Sequence, residues 1–237
     1  MGCAQSLVAN APIPPEKIVE ALKEVLDLCA KKSVEVVSKP GGFADNAALR
    51  IKISSMTSGN PTEGTIGSVL SKCQMLPGIG DKITEFETNM NKAAEDACGK
   101  ALGILTDAIK NLAFDDAKKV CEGEDTAATA YFKKTTTASL KTVFLPIVKA
   151  ANEGNGVASV LKVILDAYAM LPLVTPPKFD LDDYVADAAL KGLFTTFETY
   201  EKAVRSDHAQ WESPTLKLVF GAQKAKKELA QQQKGKK

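Results

Sequence analysis

The chain opens Met1-Gly2-Cys3-Ala4-Gln5-Ser6, a spacing suited to acyl transfer. Once Met1 is removed, Gly2 presents an unhindered α-amine, and Ser6 is the small hydroxyl residue that the M-G-x-x-x-[ST] pattern of N-myristoylation requires. Cys3, beside that amine, offers a thiol for a thioester-linked palmitoyl group. Leu7 stands where a basic residue often follows the pattern. The chemistry is eukaryotic and cytoplasmic. The opening lacks the basic and apolar runs of a secretory signal, and no window is long and apolar enough to span a bilayer.

Other residues invite chemistry less strongly. Leu76-Pro77-Gly78-Ile79-Gly80 resembles the hairpin of a helix-hairpin-helix module, in which the amides of Gly78 and Gly80 would hold a phosphate beside Lys82. Asp81, Glu85 and Glu87 crowd the same place with negative charge, whereas non-specific nucleic-acid affinity rests on basic residues. A plain helix-to-helix turn explains the motif, and nucleic acid is not favoured as a partner. Asn91 and Glu95, at i and i+4, are expected to share a hydrogen bond facing the interior of a helical bundle. The adjacent acids Asp115-Asp116, Glu124-Asp125 and Asp182-Asp183 fall near expected helix starts, where carboxylates cap free amides. The single His208 gives no Ser-His-acid or Cys-His arrangement a partner. Cys3, Cys29, Cys73, Cys98 and Cys121 lack the C-x-x-C spacing of a zinc site, and their odd number argues against a disulfide framework. No metal or cofactor is expected, and an enzyme is the least favoured reading. The last residues hold Lys224, Lys226, Lys227, Lys234, Lys236 and Lys237 against one acid, Glu228. Such a stretch can contact an anionic surface, while the net charge of the whole chain is only +1.

These residues need elements to position them, and the periodicity of the chain is almost wholly helical. A first helix follows Pro14-Pro15 and ends near Ser38. Arg50 to Ser54 alternates but has no partner strand and reads as extended loop. Ser54 to Gly64 reads as a surface loop and Thr65 to Met75 as a short helix. A long helix from about Asp81 is expected to bend near Gly99 or Gly103. A short helix covers Asp115 to Glu122. Another starts at Glu124 or Asp125 and runs through Tyr131 and Phe132. A separate ladder holds Leu140, Phe144, Ile147 and Ala151, kinked at Pro146. Val157 to Tyr168, Leu181 to Ser206 and a last helix from Ser213-Pro214 complete the set, with Trp211 anchoring the last connection and Pro172 to Lys178 forming a loop. The expected fold is all-α, an irregular bundle of about eight or nine helices without significant sheet. Residues 1–13 would be the acylation segment, 14–221 one helical domain and 222–237 a basic tail.

Ten stretches, in order and spacing, carry a likeness: Lys39-Pro40-Gly41-Gly42-Phe43, Asn46 to Ile51, Asn91-Lys92-Ala93-Ala94-Glu95, Phe114 to Ala117, Gly123 to Phe132, Phe144-Leu145-Pro146, Leu181 to Val185, Ala189 to Phe194, Glu201-Lys202-Ala203-Val204-Arg205 and Val219-Phe220-Gly221. Together they resemble a mostly bacterial family known as domain of unknown function 4197. The resemblance implies an all-helical domain and supplies no activity. Bacterial members usually begin with a secretory signal, so the acylation pattern, the Leu76 to Gly80 turn and the basic tail look particular to this chain.

The expectation is a non-enzymatic helical interaction module, peripheral on the cytoplasmic face of a membrane through acyl chains on Gly2 and Cys3. It would serve a protein partner or assembly, with a cilium or flagellum as one setting. A small-molecule or lipid-binding bundle is the alternative, and a sizeable apolar pocket would favour it. Nucleic-acid binding through the Leu76 to Gly80 turn and the lysine tail comes third. A buried cluster of Asn91, Glu95, Tyr131 and Tyr184 would revive an enzyme.

Overall fold

A computed structural model describes residues 12–52, 69–70, 73–171, 179–207, 209, 211 and 213–234. They form eight helices: α1 (Pro15–Val37), α2 (Ile79–Gly99), α3 (Leu102–Lys110), α4 (Ala117–Glu122), α5 (Ala127–Gly154), α6 (Val157–Ala169), α7 (Leu181–Ser206) and α8 (Pro214–Lys234). The fold is all-α, with no strand among the described residues.

The local chemistry explains the boundaries. Asp116 caps α4 by accepting from Lys119 N–H at 2.9 Å. Ser213 Oγ caps α8, accepting from Leu216 N–H at 3.1 Å ahead of Pro214 in the first turn. Gly78 begins α2 at φ 77, a left-handed conformation that suits glycine. Two expectations are corrected. The helix expected to bend near Gly99 instead ends there: Lys100 and Ala101 turn their N–H groups back to Ala97 and Cys98 carbonyls at 3.0 Å, and α3 starts afresh. Conversely, the two helices expected between Glu124 and Ala151 are one, α5. Pro146 lies on its exposed side, and the helix continues through it. The loops expected over Ser54 to Gly64 and Pro172 to Lys178, and most of the helix expected over Thr65 to Met75, lie outside the described residues.

The chain divides into two compact units. One comprises the described residues of 1–32, 105–136 and 196–237. Its core joins Leu22, Val25 and Leu26 of α1 with Phe132, Phe197, Val219 and Phe220, all 2% exposed or less. The Phe132 and Phe197 rings stack 6.0 Å apart. Trp211 is buried and donates from its indole nitrogen to the Val204 carbonyl, fixing the connection into α8. The other unit comprises the described residues of 33–104 and 137–195. There α2 packs against α6, with Phe43, Phe86, Met90, Phe144 and Ile164 buried. Gly192 on α7 is a close-approach point, since a Cβ there would lie 2.6 Å from Phe43 Cε1.

Candidate functional site

Asn91 and Glu95 stand one turn apart on the inward face of α2, 1% and 6% exposed. The Asn91 amide accepts from Ile51 N–H and donates to Ile51 C=O, both at 2.9 Å. This is the two-way exchange a neighbouring strand would make. Glu95 Oε1 accepts from Phe43 N–H at 2.9 Å and Ala44 N–H at 3.2 Å. The bonds of both side chains thus run to the main chain rather than to each other. They hold the irregular stretch 43–51 on α2 and satisfy amides that burial would otherwise leave without partners. A small groove of about 240 Å³ opens beside Glu95, between Pro40, Gly41, Thr88 and Lys92.

The other unit repeats the device with a full ion pair. Glu201 and Arg205, i and i+4 on α7, pair at 2.8 Å with side chains 0% and 4% exposed. Glu201 accepts from Ala128 N–H at 3.0 Å and Thr129 N–H at 2.7 Å, two unpaired donors of the first turn of α5. Arg205 donates to the Cys121 carbonyl at 2.8 Å and the Val120 carbonyl at 3.3 Å, at the closing end of α4. A negative group therefore meets a helix start and a positive group a helix end, the favourable sense for both dipoles. In the sequence Glu201 and Arg205 stand out only as part of a matching stretch. The available signal was Glu201's position four residues after Phe197, inside the apolar stripe of α7.

The cluster that would revive an enzyme is not brought together as a whole. Tyr131 belongs to a different compact unit from Asn91, Glu95 and Tyr184. Its hydroxyl donates to the Ala113 carbonyl at 3.0 Å and accepts from Asp115 N–H at 3.2 Å. The Tyr184 hydroxyl reaches the Lys52 carbonyl at 3.4 Å, and burial, then the Glu87 charge, push its pKa up. Asp182 accepts from Asn152 at 2.7 Å, and Asp183 and Asp187 share Lys141 at 2.7 and 2.8 Å. At the Leu76 to Gly80 turn, Gly78 faces open space while Lys82 pairs with Glu85 at 2.7 Å. Cys29, Cys73, Cys98 and Cys121 are buried. Burial pushes the Cys29 and Cys98 thiols well above the ordinary thiol range.

A larger feature lies wholly in the unit that contains Glu201. An open groove of about 690 Å³ runs between the start of α1, α4 and α8. Ile13, Ile18, Val19, Phe114, Ala117 and Val219 supply apolar lining. Gln223 bridges its floor, donating to the Cys121 carbonyl at 2.8 Å.

Gly2, Cys3, Ser6, His208, Lys236 and Lys237 lie outside the described residues. Helix α8 extends through Lys234; Lys224 reaches Glu228 at 4.0 Å, and the side chains of Lys226, Lys227 and Lys234 are outside the description. No described helix is long and apolar enough to cross a membrane.

Comparison with known proteins gives one positive finding. The family model described as "Protein of unknown function (DUF4197)" matches residues 13–221. No curated protein and no solved structure matches.

Proposed function

We propose that this chain, which belongs to the DUF4197 family, is a non-enzymatic interaction module held on the cytoplasmic face of a membrane by acyl groups on Gly2 and Cys3. The observation that carries the reading is the Met1 to Ser6 acylation pattern. The interior supports its non-enzymatic half. Asn91, Glu95, Glu201 and Arg205 direct their hydrogen bonds to the chain's own backbone, and Glu201 and Arg205 also to each other, which is a structural role.

A single myristoyl chain gives an association constant of roughly 10⁴ M⁻¹, so stable attachment takes a second signal. Cys3 can supply another acyl chain, and the lysines of the tail an electrostatic contact with anionic lipid. Salt separates the two, because it screens charges and leaves buried chains untouched. In fractionated eukaryotic cells, wild type should stay with membranes at high salt and need detergent. Cys3→Ser should bind weakly and be stripped by salt, and Gly2→Ala should be soluble. Partitioning of Gly2→Ala like wild type would refute the anchor.

The apolar groove favours a second reading, a lipid or small-molecule binding domain. Titration with neutral apolar ligands, read as a thermal shift, tests it.

A further inference from the structure

We propose that the groove between the start of α1, α4 and α8 is a binding site for the chain's own myristoyl group, sheltering it when the protein is off the membrane. The inference rests on the reading of Gly2 as an acylation site. Three observations carry it. The first is position: Pro12 and Ile13, where the described chain begins, themselves line the groove. The ten residues Gly2 to Ala11 can span at most about 35 Å, so an acyl group on Gly2 is tethered within reach of this groove. The second is size. A volume of about 690 Å³ sits within the roughly 300–1,000 Å³ of pockets that enclose small apolar ligands. The third is charge. Asp115, Asp116 and Glu122 line the groove against one cation, Lys118. A free fatty acid would bring its carboxylate to this acidic rim, whereas a chain linked to Gly2 ends in a neutral amide. The rim therefore selects the tethered chain over the free acid.

The consequence is a two-state anchor. Apparent membrane affinity is the exposed-chain affinity multiplied by the fraction of protein whose chain is outside the groove. Sheltering for nine-tenths of the time lowers it about tenfold, and a membrane or a partner on this face would release the chain.

The test does not depend on whether cells acylate the protein. Ligation of a ¹³C-labelled myristoyl-glycyl thioester to a chain beginning at Cys3 restores the native Gly2–Cys3 bond and yields the full acylated protein. Nuclear Overhauser contacts should connect the labelled chain to the methyl groups of Ile18, Val19 and Val219 within one molecule, at all protein concentrations. Partition into neutral phosphatidylcholine vesicles should be about tenfold weaker than the exposed-chain value of roughly 10⁴ M⁻¹. Ala117→Trp and Ala222→Trp, which fill the groove, should restore that value. Wild type partitioning at the full value with no contacts to those methyls would overturn the proposal. Contacts found only between different molecules would also overturn it, by assigning the groove to a neighbour's chain. The anchor itself stands or falls separately, on the fractionation of Gly2→Ala.

Discussion

Glu95→Gln and Glu201→Gln remove the same charge from two buried carboxylates, and the geometry gives them unequal costs. Glu95 takes both of its amide bonds on one oxygen, Oε1. A glutamine carbonyl can occupy that position and keep both bonds, while its NH₂ turns toward the small groove beside Thr88 and Lys92. What is lost is the charge-assisted part of two bonds, about half their strength, for a cost of about 1–2 kcal/mol. Glu201 uses both oxygens. Oε1 accepts from Ala128 N–H and Arg205 Nε, and Oε2 from Thr129 N–H. Either orientation of glutamine points an NH₂ at a donor, and Arg205, 4% exposed, loses its counter-charge. Breaking one side of a buried pair costs about 3–5 kcal/mol. At roughly 2–4 °C per kcal/mol for a chain of this size, Glu95→Gln should lower the thermal midpoint by about 2–8 °C and Glu201→Gln by about 6–20 °C. Circular dichroism during thermal and urea unfolding measures both, with an unchanged urea slope confirming that only stability moved. In an Arg205→Met background the Glu201→Gln loss should shrink by about 1–3 kcal/mol, the coupling expected of contacting residues. Equal losses at the two sites, or a larger loss at Glu95, would refute the reasoning.

Two further outcomes follow from the packing and the thiols. Gly192→Ala should cost about 1 kcal/mol net, as overpacking of about 1–3 kcal/mol against the Phe43 ring exceeds about 1 kcal/mol gained in helix propensity. In a Phe43→Ala background the same change should become stabilising, a reversal readable by urea titration. Cys29 and Cys98 have thiol pKa values raised in the folded state, so their contribution is intact below the unfolded thiol pKa of about 8.5 and declines as pH rises past it. Stability should fall by up to about 2.7 kcal/mol per pH unit from the two thiols above that point. Urea titrations between pH 7 and 10 should show a shallower fall in a Cys29→Ala, Cys98→Ala double variant.

Local signals carried the helices whose ends are chemically marked. Leu181 to Ser206 has matching bounds in sequence and structure, and Ser213-Pro214 marks the start of α8 through a side-chain cap and a proline that needs no donor. Interruptions were harder to read. Gly99 looks like a bend and acts as an end, because Lys100 and Ala101 find acceptors in the last turn of α2. The stretch between Phe132 and Leu140 looks like a division and is not one, since a single helix, α5, runs through it and on past Pro146, which is exposed. The interior polar groups show the same limit. The spacing of Asn91 and Glu95 places them on one face, but apart from Asn91's bond to the Glu87 carbonyl one turn back, their partners lie 40 to 52 residues away and are set by tertiary packing. Glu201 and Arg205 were hidden for the same reason, as their ion pair is local and its purpose is not. The structure also gives the matching stretches a physical meaning. Phe43 meets Glu95 and Gly192, and Ala128 and Thr129 meet Glu201, so pieces far apart in sequence are the two halves of each clamp.

The Glu201–Arg205 clamp also sets an order of events on the ribosome. The first turn of α5 waits for a carboxylate 72 or 73 residues downstream, and the end of α4 for a guanidinium 84 or 85 residues downstream. At about 5–20 residues per second, these helix ends stay uncapped for several seconds while the intervening chain is made. The groove, which needs α8 as well as the start of α1 and α4, would likewise close only once α8 has been made.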